Sequence, residues 1–211
     1  GHKISTNEGG SGSDFTDGIK DGMPIALGYF AVAFAFGMTA ATQGISPIAA
    51  SVISLTNVTS AGQFAAITII CDGGTYIEMF ITQLVINLRY MLMSFSLSQR
   101  IDENASLFKK SVCAFGITDE IFGISSARKA PLKPEYMYGA MCVAIPGWVL
   151  GTVCGACAKD LLPAMMLSAL GVAIYGMFLA IIIPPATEDT AVLKVVIGAM
   201  ALASAFKYIP V

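Results

Sequence analysis

The chain has 211 residues, of which 55% are hydrophobic and 12% charged, and its net charge is −2. Soluble domains carry about 25% charged residues, so this low charge together with a mean hydropathy of +0.73 excludes an ordinary water-soluble protein and indicates an integral membrane protein. The near-neutral charge and the lack of a basic run argue against a nucleic-acid partner.

The first 13 residues are polar and rich in Gly and Ser, unlike the rest of the chain. Such a composition is typical of a flexible leader or a cloning remnant. We therefore expect residues 14–211 to form a single transmembrane domain. The only histidine, His2, lies in the leader, so no histidine is available in the membrane region.

The rest of the chain is a series of apolar stretches separated by short polar loops. A membrane-spanning helix needs about 20 apolar residues, whereas a barrel strand needs about 9–11. The lengths therefore predict an all-α polytopic bundle of about seven membrane segments, of which the last is short. In chain order the segments are residues 24–42, 47–70, 75–97, 107–127, 137–158, 161–183 and 191–206.

Two of these segments are interrupted by polar residues and glycine. Residues 54–63 read S-L-T-N-V-T-S-A-G-Q, and residues 116–123 read G-I-T-D-E-I-F-G. Broken helices at membrane depth line a cavity or pack on protein. The alternative is that each interruption is a close helix–helix contact, in which small residues permit the approach and hydroxyls form hydrogen bonds between the helices.

The basic loops give conflicting information on orientation. Residues 99–110 and 128–135 each carry three Lys or Arg residues, yet they flank a single apolar segment, residues 107–127. Short basic loops favour the cytoplasmic side. Either the rule fails here, or this segment enters the membrane and returns to the same side.

The segment at residues 137–158 carries Gly147, Gly151 and Gly155 at a spacing of four. Glycines at this spacing let another helix approach closely, so we expect a structural role. Cys154 and Cys157 form a C-x-x-C pair without further ligands, and we expect packing residues there, with no metal or other cofactor.

A shift of 114 positions aligns Gly37 with Gly151 and residues 62–69 with 176–183, which suggests a weak internal repeat. Internal repeats are common in transporters.

Arg89 lies midway in an apolar segment, where a charge is costly and usually has a partner or faces water. A carboxylate of Asp119 or Glu120 is the expected partner. Only one of the two acids can readily face Arg89, because neighbours on a helix diverge by about 100°. Three roles for this pair are open. It is an ion pair that fixes the register of two helices, it binds the charged groups of a zwitterionic substrate, or it relays protons.

Motifs of enzymes are missing from the sequence. It contains no G-x-S-x-G, Walker loop or H-E-x-x-H. No nucleophile is paired with a base by any recognisable motif, so we expect no enzymatic activity.

Four motifs in order resemble the AzlC family of branched-chain amino acid permeases. They are G-M-P-I-A-L-G-Y-F-A-V-A-F-A-F-G from Gly22, S-A-G-Q-F-A-A from Ser60, N-L-R-Y-M-L-M-S-F-S-L from Asn87 and G-I-T-D-E-I-F from Gly116. The resemblance runs from Gly18 to about the end of the chain. Many members have histidine after N-L-R, where this chain has Tyr90. Family chains also commonly continue with one more apolar helix past the proline near the end.

The resemblance implies a multi-pass exporter of branched-chain amino acids in the bacterial inner membrane. The implied substrates are leucine, isoleucine and valine, with methionine in some members. It also implies coupling to the proton gradient and a small membrane partner subunit of the AzlD type. We hypothesise that the substrate contacts are Asn57, Thr59, Gln63, Asn87 and Arg89, and that Asp119 and Glu120 act with Arg89 in proton coupling or gating. A scaffold subunit without transport activity and a channel are the alternatives.

Overall fold

The computed structural model describes residues 11–158 and 190–207 together with residues 179, 183 and 187. The chain divides into two compact units, residues 1–163 and 164–211, which are described separately. In the described part of the first unit the helices are α1 (Ser11–Thr42), α2 (Pro47–Thr56), α3 (Ala61–Cys71), α4 (Tyr76–Ser98), α5 (Leu107–Phe115), α6 (Asp119–Ser126) and α7 (Pro134–Ala158). The second unit contains α8 (Thr190–Lys207).

Three of the described helices, α1, α4 and α7, are long and apolar enough to cross a membrane. They have 32, 23 and 25 residues, and at 1.5 Å per residue each exceeds the roughly 30 Å of hydrocarbon. The prediction of an all-α polytopic bundle is confirmed. Helix α1 begins at Ser11, well before the predicted residue 24. The prediction missed its first turns because they carry acidic residues and so lie outside the apolar run.

Helices α1 and α7 run parallel and pack backbone against backbone. A Cβ added at Gly18 would strike the backbone of Tyr136, and one added at Gly155 would strike the backbone of Phe34. Gly147 and Gly151 meet α1 in the same way, so the predicted close-packing role of the glycine ridge is confirmed.

Cys154 and Cys157 lie on the other side of α7, where they are exposed free thiols. The expectation that they are packing residues is wrong, because the packed face is occupied by the glycine ridge.

One end of the first unit collects the basic loops, and we call it the basic end. Arg100, just after α4, donates to the Arg128 carbonyl at 2.7 Å, and Arg128 pairs with Asp14 at the start of α1. Helix α4 therefore ends where α1 begins and runs antiparallel to it. Lys133 pairs with Asp14 at 2.8 Å, and this contact raises the pKa of the lysine.

The second broken segment, which is α5 and α6 (residues 107–126), begins and ends at the basic end. Lys109 in α5 pairs with Glu135 at the start of α7 at 2.8 Å. After α6 the chain reaches Arg128, which pairs with Asp14 and with Asp17. The segment is therefore re-entrant with respect to the bundle, and the conflict between the two basic loops disappears because both loops lie at one end.

The first broken segment, which is α2 and α3 (residues 47–71), enters from the opposite end. At its return the Cys71 thiol lies 3.7 Å from the Gln43 carbonyl, close to where the segment starts. Its apolar side chains pack on α1, where Phe36 stacks edge-on against Phe64 with ring centroids 5.4 Å apart. The two broken segments thus enter the bundle from opposite ends.

Several sequence predictions fall outside the described residues. Residues 1–10 of the predicted leader (residues 1–13) and nearly all of the predicted segment 161–183 are among them, as is most of the second copy of the weak repeat, residues 176–183; residues 11–13 of the predicted leader form the start of α1. The repeat and the single domain over residues 14–211 stay predictions. In the second unit, α8 matches the predicted segment 191–206 within one residue at each end.

Candidate functional site

The two breaks lie beside the middle parts of the long helices, since Thr118 contacts Tyr29 of α1 and Gln63 contacts Trp148 of α7. Residues 57–60 separate α2 from α3, and residues 116–118 separate α5 from α6. A helix start leaves unpaired N–H groups and carries a partial positive charge. The starts of α3 and α6 therefore bring two such ends to mid-span, where α4 presents Asn87 and Arg89.

The start of α6 is capped by a side chain. Thr118 has an extended backbone, and its hydroxyl accepts a hydrogen bond from the Ile121 N–H at 3.3 Å. Asp119 and Glu120 follow in the first turn, where acidic residues complement the helix dipole. The T-D-E sequence thus both breaks the segment and places two carboxylates at its tip.

Arg89 and Asp119 form an ion pair, which is the kind of contact that the sequence predicts for Arg89. Nη1 of the arginine lies 2.6 Å from Oδ2 of the aspartate, with side chains 36% and 25% exposed. The other terminal nitrogen donates to the Tyr90 hydroxyl at 3.2 Å, and the guanidinium lies 4.9 Å from the centre of the Tyr90 ring. The role of the pair in binding or coupling stays a prediction.

Glu120 faces a different helix. Its Oε2 lies 2.6 Å from the hydroxyl of Tyr29 on α1, and that hydroxyl also lies 2.5 Å from Oγ1 of Thr118. Tyr29 is buried, with 5% of its surface exposed. The adjacent acids therefore diverge as helix geometry requires, with Asp119 directed to α4 and Glu120 to α1.

The first break is held by short-range polar contacts. The Thr59 hydroxyl donates to Oδ1 of Asn57 at 2.9 Å. Ser60, the residue before α3, has φ of +40°, a left-handed conformation that is uncommon outside glycine, and its side chain does not cap the helix. Non-glycine residues in such conformations cluster at ligand sites and switch regions.

Gln63 lies in a buried hydrogen-bond network behind this break. Its Nε2 donates to Ser54 at 2.9 Å, and its Oε1 accepts from the Trp148 indole at 2.8 Å. The Ser54 hydroxyl in turn lies 2.6 Å from that of Thr152 on α7. Gln63 is fully buried, so in this conformation it fastens the first broken segment to α7 and does not face an open site.

Asn87 approaches the start of α3 from α4. Its Nδ2 donates to Gln83 at 3.0 Å, and Gln83 donates to the Gly62 carbonyl at 2.8 Å. A Cβ at Gly62 would lie only 2.7 Å from Oε1 of Gln83, so glycine permits the approach of the two helices. Oδ1 of Asn87 is buried without a hydrogen-bond partner in the described part of the chain.

The predicted site residues thus form two groups that α4 connects. Asn87 contacts the first break through Gln83, and Arg89 contacts the second through Asp119. Tyr29 and Trp148 link the same two regions from α1 and α7, with ring centroids 5.3 Å apart in an edge-on arrangement.

Sequence reasoning missed Tyr29, Trp148, Ser54, Thr152 and Gln83. An aromatic residue or a single hydroxyl in an apolar helix is typical of ordinary packing, and their partners are distant in sequence. Trp148 is the only tryptophan in the chain, and a buried indole N–H normally has a partner, which is the one signal that the sequence offered.

Within the described residues no cluster of three or more His, Cys, Asp or Glu side chains is arranged to hold a metal ion.

Comparison with known proteins gives a consistent result. The family model described as AzlC protein matches residues 24–162. The inner membrane protein YgaZ of Escherichia coli K12 is 32% identical over 146 residues, which are 67% of this chain and 60% of that protein. An uncharacterized membrane protein of Archaeoglobus fulgidus is 30% identical over 172 residues, 81% of this chain and 75% of that protein. The chain thus spans less than two thirds of the length of YgaZ. No solved structure matches significantly.

Proposed function

The chain belongs to the AzlC family of membrane proteins, and from this premise we propose that it is a secondary transporter that exports branched-chain amino acids. The observation that carries the proposal is the meeting, at mid-span, of two broken segments that enter from opposite ends of the bundle. Secondary transporters commonly bind their substrates at such sites, because half-helix ends and freed backbone groups offer polar contacts inside the membrane.

The chemistry of the two groups suits a zwitterion with an apolar side chain. Arg89 presents a planar fork that matches a carboxylate, and Asp119 beside it offers negative charge for an ammonium group. Asn57, Thr59 and Asn87 add neutral donors and acceptors beside the start of α3. Leucine, isoleucine and valine are the proposed substrates, with methionine as a further candidate.

The proposed orientation follows from the basic end. Arg100, Lys109, Lys110, Arg128, Lys129 and Lys133 all lie at this end, while the described loops at the opposite end, residues 43–46 and 72–75, contain no Lys or Arg. Short loops rich in these residues stay in the cytoplasm. We therefore place the basic end on the cytoplasmic side of a bacterial inner membrane, with α1 beginning inside the cell.

An AzlD-type small membrane subunit is the proposed partner. Helix α4 supports this proposal, because most of its apolar side chains are exposed, including Tyr76, Phe80, Val85 and Phe95. Such a face suits contact with lipid or with a further membrane helix.

The test is flux of labelled leucine in proteoliposomes, with and without a pH gradient and with and without the partner subunit. The proposal predicts that a pH gradient drives leucine across the membrane against its concentration gradient, and that lysine is not transported. A scaffold subunit would give no flux under any of the four conditions. A channel would give conductance that does not depend on the pH gradient.

A further inference from the structure

We infer that Glu120, and not the neighbouring Asp119, binds and releases the coupling proton, and that the Tyr29 hydroxyl is the positioning group that accommodates both states of this carboxyl. The inference rests on the proposed transport function, because a coupling proton is meaningful only in a transporter. It begins from the different surroundings of the two adjacent acids in the first turn of α6.

Asp119 has a partner that matches only its ionised form. Its Oδ2 lies 2.6 Å from Nη1 of Arg89, and arginine keeps its charge under all ordinary conditions. Protonating the aspartate would leave the guanidinium unpaired at mid-span, where an unpaired charge is costly. The Arg89–Asp119 pair is therefore suited to holding α4 against α6 and is poorly suited to repeated proton uptake.

Glu120 has a neutral partner. In the described part of the chain no Lys, Arg or His forms an ion pair with it, and its hydrogen bond is to the Tyr29 hydroxyl. The charged and titratable groups facing this region are Tyr29 from α1, Arg89 and Tyr90 from α4, and Asp119 from α6 itself. Arg89 is already paired with Asp119, so none of these groups forms an ion pair with Glu120.

The hydroxyls of Tyr29 and Thr118 satisfy Glu120 in both protonation states. When Glu120 is ionised, Tyr29 donates to the carboxylate. When Glu120 is protonated, its own O–H donates to Tyr29, and Tyr29 donates to Thr118. In either case the Ile121 N–H can still donate to Thr118, and both the Glu120 carboxyl and the Tyr29 O–H keep a hydrogen-bond partner when the proton arrives or leaves.

The proton balance is simple. A proton from one aqueous phase forms the O–H bond on the Glu120 carboxylate, and the same bond breaks when the proton leaves to the other phase. No other group changes its charge, because Tyr29 only redirects its O–H between Glu120 and Thr118. Tyr29 also contacts Trp148, whose indole N–H donates to Gln63. The proton site is therefore in contact with the hydrogen-bond network that attaches the first broken segment to α7.

The first test is infrared difference spectroscopy of the purified full chain during a pH titration, which needs no transported substrate. A carboxyl that is protonated in a site of low polarity gives a sharp C=O stretching band. We expect this band in the unmodified protein, its loss in Glu120→Gln and a shift of its frequency in Tyr29→Phe. Glu103→Gln, at an exposed loop carboxyl, is the matched control and should leave the band unchanged. A band that persists in Glu120→Gln, or no band in the unmodified protein, would overturn the inference.

The second test separates this inference from the proposed function. In proteoliposomes, Glu120→Gln should still exchange labelled for unlabelled leucine but should lose export driven by a pH gradient, down to the level of protein-free liposomes. If Glu120→Gln keeps gradient-driven export, the inference is wrong although the transport proposal stands. If the unmodified protein exchanges no amino acid at all, the transport proposal fails instead, and the infrared titration alone then decides whether Glu120 takes the proton.

Discussion

The parallel packing of α1 and α7 makes a sharp prediction for two glycines on the same helix. A Cβ added at Gly37 would strike the backbone of Thr152 and of Ala156, whereas one added at Gly28 meets no atom within 4 Å. Backbone atoms cannot rotate away as a flexible side chain can, so alanine at Gly37 must separate the helices. Alanine at Gly28 costs no packing.

The magnitude follows from two opposing terms. Replacing glycine by alanine in a helix gains about 1 kcal/mol from backbone propensity at either position. Overpacking a tight contact costs about 1–3 kcal/mol, and this term applies only at Gly37. In the difference between the two variants the propensity term cancels, so Gly37→Ala should be less stable than Gly28→Ala by about 1–3 kcal/mol.

The assay is reversible unfolding in mixed micelles, with the free energy of unfolding measured for the unmodified protein and for both variants. We expect Gly28→Ala to be at least as stable as the unmodified protein and Gly37→Ala to be the less stable variant. Equal stability of the two variants, or a more stable Gly37→Ala, would refute the parallel α1–α7 contact described above.

Three further predictions concern the site and the orientation. Arg89→Ala and Asp119→Asn should each reduce leucine export to the level of protein-free liposomes, because each leaves the other charge unpaired; wild-type export rates in both would show that the pair has no part in transport. Gln63→Leu should lower the free energy of unfolding by about 1–3 kcal/mol, since it leaves the buried Trp148 indole N–H without its acceptor, while Ser54 keeps Thr152 as a partner; an unchanged value in the micelle assay would contradict the buried network. In a cysteine-free background, Gly44→Cys should react with an impermeant maleimide added outside the cell, and Lys129→Cys should react only after permeabilisation; the reverse pattern would invert the proposed orientation.

The two broken segments were predictable because their signal is local. Polar residues and glycine concentrated within residues 54–63 and 116–123 cannot continue an ordinary lipid-exposed helix, and the structure breaks both segments inside these windows. The re-entrant course of residues 107–126 was one of two alternatives, and it followed from two basic loops around one segment. Only the contact of Lys109 with Glu135 and of Arg128 with Asp14 decides between them.

The partners of individual side chains were less predictable because they are distant in the sequence. Sequence reasoning left Arg89 with two candidate acids, and the rotation of α6 about its axis selects Asp119. Tyr29 gave no signal, since a tyrosine in an apolar helix is typical of packing, and its contact with Glu120 depends on how α1 lies against α6. Gln63 was expected to face the substrate, yet its amide is taken up by Ser54 and Trp148.

The central claim is that an amino acid binds where the two breaks meet. The most direct measurement is the alkylation rate of a cysteine placed at Val58, within the first break, in a cysteine-free background. The account predicts that leucine, isoleucine and valine slow this reaction in a saturable manner, whereas lysine does not. An alkylation rate that no branched-chain amino acid changes, in protein that still exchanges leucine in proteoliposomes, would contradict the proposed location of the site.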